Sequence, residues 1–309
     1  MAKRKPLKDC IVKPGEKSPF ANLLVDLAFK KAFDPDKPSS RENLVNLLND
    51  LLEPQLKRPI KNVWTRNVAK NLSGSRESRT AIFDLHCEDD VGNLIEIEVQ
   101  IRKQDHFLKR LAFYASEIIA NQAEPGDEWD YDIKPTYVIA LTQHTMFGDD
   151  RIVHRATVTD LDTGEQFLDT FNFTAIELSK VPFFIEPGSS SLRKWLFFLR
   201  FLDKLKELPA ELDEKKFEQL TESSKVSKFS KEEFEAYQKV YHEKWDHNVM
   251  VKGVFEEFAD EINAKVEERA TQKVNERERE MAKAMRDYGD PVEKIAAISG
   301  FSIEEIAKL

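Results

Sequence analysis

Asp84 and Glu98 are the residues whose types and spacing point most directly to chemistry. Between them, Asp90-Val91-Gly92 reads as a three-residue hairpin loop, because such a loop ends in the left-handed region and glycine enters it without a Cβ clash. Counting outward from that loop, Asp89 faces Asn93, His86 faces Glu96 and Asp84 faces Glu98. Two carboxylates across one rung repel unless a cation lies between them or one takes a proton. The expectation is a divalent-metal site at Asp84 and Glu98. Hard oxygen donors select Mg2+ (or Mn2+), which keeps waters and substrate phosphate as its remaining ligands. Zinc fits less well, since Cys87 points to the face opposite Asp84 and has no paired cysteine. His86 sits two residues along, roughly 6.5 Å away, so a strand histidine with ordinary partners is the simpler reading. A hard dication there would ease deprotonation of water and neutralise charge on a bound phosphate.

The elements that must position these residues follow from periodicity. The spacing predicts a helix over about Ala21–Phe33, stopped by Pro35 and Pro38, and a second helix capped by Ser39 with Glu42 and ended before Pro54. From Ile60 the period becomes two: a weak strand over 61–69, a stronger one over 81–88, and Leu94–Ile101, which alternates almost perfectly. One face of that last strand is Glu96, Glu98 and Gln100; the pattern alone also fits the solvated outer face of an edge hairpin. A helix over about Asp105–Asn121 and a buried strand over 135–141 come next. Runs at 151–160 and 166–178 flank the turn signal Asp162-Thr163-Gly164 and predict a second hairpin. After Pro187 the chain reads as helical, with an aromatic helix over Ser190–Lys206. Ser230 with Glu233 then caps a long charged arm reaching about Tyr288, whose stretch 267–280 is nearly all polar. Two short helices joined at Gly300 resemble a helix-turn-helix fragment.

The division expected is a flexible basic tail (1–18), a catalytic domain (19–188), a helical region (189–288) and a short terminal helix pair (289–309). The first 70 residues carry 15 Lys and Arg against 8 Asp and Glu, a net of +7, which leaves −16 for the rest of a chain whose net charge is −9. That balance argues against indiscriminate coating of nucleic acid and favours local capture of phosphates. Two cysteines, Cys10 and Cys87, cannot form a disulfide framework, and no charged leader runs into an apolar core, so a reducing, cytoplasmic setting is expected. The most apolar stretch, Trp195–Leu202, is broken by Arg200, which excludes a membrane span.

The order of these features resembles a known family. A helix carrying Asp26-Leu27-Ala28-Phe29-Lys30, a strand with Asp84, the Gly92 turn, Ile97-Glu98-Val99-Gln100 and a following helix with Arg110 and Tyr114 are similar to the PD-(D/E)XK nuclease superfamily. More narrowly they resemble its Rpn group, the recombination-promoting nucleases often labelled transposases. The likeness covers about residues 20–180, through Ile176-Glu177-Leu178, and the tail from Asp290 to Leu309 resembles that group's C-terminal motif. It implies an α/β (α+β) restriction-endonuclease-like mixed sheet flanked by helices, with a C-terminal helical arm, and a Mg2+-dependent DNA endonuclease linked to recombination. It also implies that Asp84 and Glu98 hold the metal, with Asp26 as a third carboxylate. Where the broader pattern has lysine there is Gln100, as in the Rpn group; an amide orients water or phosphate but brings no positive charge. Lys30, Arg102 and Lys103 are candidates to supply that charge, and Arg110 joins them as a DNA-phosphate candidate. Two of these have a plainer alternative: Asp26 with Lys30, and Arg110 with Tyr114, are also ordinary i,i+4 neighbours on a helix. A catalytically degenerate fold serving as a DNA-binding or oligomerisation module, homodimeric through the C-terminal helical region, is the competing class. Metal chemistry does not read the 2′-hydroxyl, so DNA and RNA stay open as substrates.

Overall fold

The computed structural model describes residues 4–66, 84–101, 104–123, 130–244 and 275–308, with side chains between 240 and 244 excluded. They fall into two compact units, 1–247 and 248–309.

The first unit is built on a six-stranded mixed sheet in the order β1-β2-β3-β4-β6-β5. Its strands are β1 (Val63–Thr65), β2 (Leu85–Asp89), β3 (Leu94–Gln100), β4 (Thr136–Thr142), β5 (Val153–Thr159) and β6 (Gln166–Glu177). β1, β2 and β3 run antiparallel, β3, β4 and β6 are parallel, and β5 returns antiparallel along the outer side of β6. Parallel neighbours need a crossover, and α4 (Phe107–Ala120) supplies it between β3 and β4. β3 is therefore an interior strand, covered on both faces. Ile95, Ile97, Ile139 and Leu141 are fully buried on one. On the other, Leu94, Val138 and Ala140 pack under Phe107, Leu111, Ala115 and Ile118 of α4. The solvated-edge reading of Glu96, Glu98 and Gln100 fails for this reason: Glu96 and Glu98 are 0% and 4% exposed.

Further helices of the unit include α2 (Asp26–Ala32), α3 (Pro38–Leu52), α5 (Ser191–Phe201) and α6 (Lys215–Ser223). The predicted first helix is shorter than its apolar pattern, because Ala21–Val25 are buried in a non-helical approach and Asp26 opens the helix. The Ser39 capping box does not form. The second helix starts at Pro38, whose missing N–H suits the first position, and Ser39 lies inside its first turn. Its stripe Leu44, Leu47, Leu48, Leu51 and Leu52 is buried as expected. Trp195 of α5 stacks edge-on with Phe217 of α6, and its indole N–H donates to Asp50 Oδ2 of α3 at 2.6 Å.

α7 (Lys231–Lys244) carries the predicted Ser230–Glu233 capping box, both reciprocal bonds present. It packs on α2: Tyr237 lies among Ala21, Val25 and Ala28, its hydroxyl accepts from the Asn22 N–H at 2.8 Å, and Glu233 pairs with Lys31. The expected boundary at 188 is thus not a boundary of the fold. The predicted basic tail is not a tail either. A short helix, α1 (Leu7–Cys10), buries Leu7 and Cys10, Val12 is buried beyond it, and Ile11 bridges to Leu205. Basic composition hid three apolar residues spaced to dock.

In the second unit, α8 is described over 275–288, followed by α9 (Val292–Ser299), Gly300 in the left-handed region and α10 (Ile303–Ile306). Ala282, Ile295 and Ile306 form its small core. The middle of the predicted arm, 245–274, and residues 67–83, with the end of the strand predicted over 61–69 and the start of that over 81–88, lie outside the described residues.

Deleting residues 1–12 removes three buried apolar side chains, worth roughly 1.5–3 kcal/mol each. Thermal unfolding followed by circular dichroism should show a melting temperature lower by several degrees. A free tail would leave it unchanged.

Candidate metal centre

The β2–β3 register is the one counted from the loop: Leu85 faces Ile97 and His86 faces Glu96, with the Asp84 N–H bonded to the Ile97 carbonyl at 3.1 Å. Gly92 has φ 87°, and the Asp89 N–H donates to the Asn93 carbonyl at 3.0 Å. The paired ladder ends at Leu85 and Ile97, and Asp84, just beyond it, lies close enough to Glu98 for the two charges to act on each other. Asp84 Oδ2 accepts from the Val99 N–H at 2.5 Å. Asp26, at the first turn of α2, lies close enough for its charge to act on Asp84.

The electrostatics are those of acids crowded out of water. Burial pushes Asp84 up to about 6, and the charge of Asp26 adds to this, while the Val99 N–H and Lys30 pull the other way. Burial likewise pushes Glu98 up to about 7, reinforced by Asp84 and opposed by Arg110 and Gln100. Glu98 Oε1 accepts from Gln100 Nε2 and, at 3.0 Å, from an Arg110 Nη. Glu98 Oε2 is buried and has no hydrogen-bond partner among the described residues. An orphaned carboxylate oxygen beside two further acids is what a hard dication would satisfy. The donor set fits Mg2+ or Mn2+.

Lys30 Nζ pairs with Asp26 Oδ1 at 2.8 Å, so the ordinary i,i+4 pair and the approach of Asp26 to Asp84 coexist. Arg110 reaches the site from α4, under which Glu98 is buried. Arg102 and Lys103 lie outside the described residues. His86 Nδ1 pairs with Glu96, whose carboxyl burial also raises; the histidine answers a buried acid.

Sequence reasoning missed a second cluster. Ligand atoms of Asp149, His154 and Glu177 lie within 4.8 Å of one another. No periodic signal could reveal it, since the three come from a loop and two strands. Its acids are already answered. Glu177 Oε2 accepts from Lys180 Nζ at 2.5 Å and sits 3.0 Å from His154 Nε2, while Oε1 takes the Met146 and Phe147 N–H groups. Burial alone would raise Glu177, but Lys180 and those amides outweigh it and hold the carboxyl below its usual range. Arg151 pairs with Asp149 at 2.7 Å. The Lys180 ammonium occupies the place a metal would take, and the contrast with the unanswered Glu98 Oε2 favours the first site.

A mixed sheet flanked by helices, with acids gathered where its hairpin opens, defines a protein of the α/β PD-(D/E)XK nuclease fold. Residues 23–253 match the family model described as PD-(D/E)XK nuclease family transposase, and the chain belongs to that family. The match runs through α5, α6 and α7, in keeping with the undivided first unit. No curated protein and no solved structure gives a significant match. Among the described residues, no helix is long and apolar enough to cross a membrane.

Both carboxyls titrate above their unfolded values, so the stability of their neutral forms is complete below about pH 4 and is lost as pH rises through about 6 to 7. The melting temperature in chelator should fall between about pH 5 and pH 8, and Glu98→Gln should lessen that fall. A variant that melts clearly lower than wild type at pH 8 would show that the ionised carboxylate, paired with Arg110, supports the fold.

Proposed function

We propose that this chain is a metal-dependent DNA endonuclease of the recombination-promoting type, hydrolysing phosphodiester bonds at Asp84, Glu98 and Asp26. The observation that carries the reading is the convergence of these acids, with Glu98 Oε2 buried and without a hydrogen bond among the described residues. Asp84 and Glu98 would hold Mg2+ or Mn2+, with Asp26 adjacent. When bound, the ion supplies Lewis acidity toward a phosphate and eases deprotonation of water.

The remaining work falls to the chain's own groups. Asp84 is fixed by the Val99 amide, which donates to one of its oxygens, with the charge of Asp26 close by. Gln100 steadies Glu98 through its amide N–H, so its neutral side chain orients a catalytic acid and adds no charge. Lys30, half-exposed beside the acids, is placed to meet a phosphate oxygen, and Arg110 brings a planar fork suited to the same group. Family membership supports nuclease-type action; the preference for DNA, cutting within the strand and a link to recombination extend that membership.

Supercoiled plasmid incubated with the full chain and Mg2+ or Mn2+ should be nicked, chelator should stop the reaction, and Asp84→Ala or Glu98→Ala should reduce it below detection. Plasmid binding with no metal-dependent nicking would replace the enzyme by a binding module. Faster cutting of a matched RNA would change the substrate and keep the chemistry.

A further inference from the structure

Position 100 holds an amide where the wider superfamily pattern has a lysine, and that amide is turned onto Glu98. Among the described residues, the charged group that donates to Glu98 is Arg110, 3.0 Å from Oε1 and 31% exposed. Its guanidinium is held in place. A second Nη donates to Gln104 Oε1, the group lies 5.1 Å from the centre of the Phe107 ring, and Nε is buried with no partner among the described residues. Lys30 is the rival cation, but it is more exposed and is paired with Asp26. A guanidinium has five donors in a planar fork, a geometry that matches phosphate oxygens. One that leans on a metal-binding carboxylate must lose that partner's charge to a bound dication, because the dication is the stronger counter-ion.

We propose that Arg110 is the cation this chain uses in place of the lysine absent from position 100. With no metal bound it neutralises Glu98; with a divalent ion on Glu98 it turns to a non-bridging phosphate oxygen of the substrate. Gln104 and Phe107 are the positioning residues that keep its fork beside the site. The inference rests on the nuclease reading above and assigns the positive charge that reading lacks at its third position.

Two measurements on the full chain test it: calorimetric Mn2+ titration of metal-stripped protein without nucleic acid, and plasmid nicking in Mg2+. Arg110→Gln should bind Mn2+ on the order of tenfold more tightly, because a competing charge is gone, while nicking falls by roughly a hundredfold or more. Adding Gln100→Lys to Arg110→Gln should bring nicking back to within about tenfold of wild type, since a lysine there returns the charge. Unchanged or weaker Mn2+ binding in Arg110→Gln overturns the proposal, as does undiminished nicking or a double variant that recovers nothing. Should Arg110→Gln fail to fold, Arg110→Lys takes its place: Mn2+ affinity should stay at the wild-type value with nicking partly retained, and tighter binding overturns the proposal. If the wild type nicks nothing, the nuclease reading fails separately, and the Mn2+ titration still decides whether Arg110 guards Glu98.

Discussion

Like charges cannot be buried together without an answer, and the first unit is arranged around that constraint. Asp26, Asp84 and Glu98 converge where the β2–β3 hairpin opens, and two of the three are driven toward their neutral forms by burial and by one another. Replacing such acids with apolar residues would relieve the cost. The fold instead keeps them and surrounds them with partial answers: the Val99 amide on Asp84, Lys30 on Asp26, and Arg110 with Gln100 on Glu98. These answers are incomplete by one oxygen. A site left short of positive charge in this way is suited to a dication that comes and goes, whereas the Glu177 cluster, complete with its own lysine, is suited to holding β5, β6 and the following turn together.

The same reasoning separates acids that share a strand face. Glu96 and Glu98 are two residues apart on β3 and both buried, yet Glu96 has the imidazole of His86 across the hairpin while Glu98 has the like charges of Asp84 and Asp26 beside it. Position along the strand decides the outcome. Glu96 lies under the body of the sheet, and Glu98 lies where α2 and α4 can both bring polar groups to it.

Much of this was legible in the amino-acid order, because local rules set it. Gly92 fixes the loop, and the loop fixes the register as far as Leu85 facing Ile97, with Asp84 next in line and near Glu98. The leucine stripe of α3 and the capping box at Ser230 are equally local. What escaped depends on partners distant in the chain. Whether Glu98 faces water depends on α4 and on β4, which begins at Thr136, closing over β3. The docking of Leu7–Val12 depends on a strand-like edge near Leu205, and the Glu177 cluster needs β5 and β6 paired before its members meet. The Ser39 box fails for a different reason: Pro38 begins the helix two residues earlier than the capping pattern implies.

The seat of Tyr237 between Ala21, Val25 and Ala28 bears on how the molecule can be divided. Asp26 stands at the head of a helix only seven residues long, which has little rigidity of its own and borrows it from whatever leans against it. A residue more than two hundred positions downstream is part of that scaffolding. The smallest piece able to hold its acids in register is therefore set by α7, well beyond the last strand of the sheet.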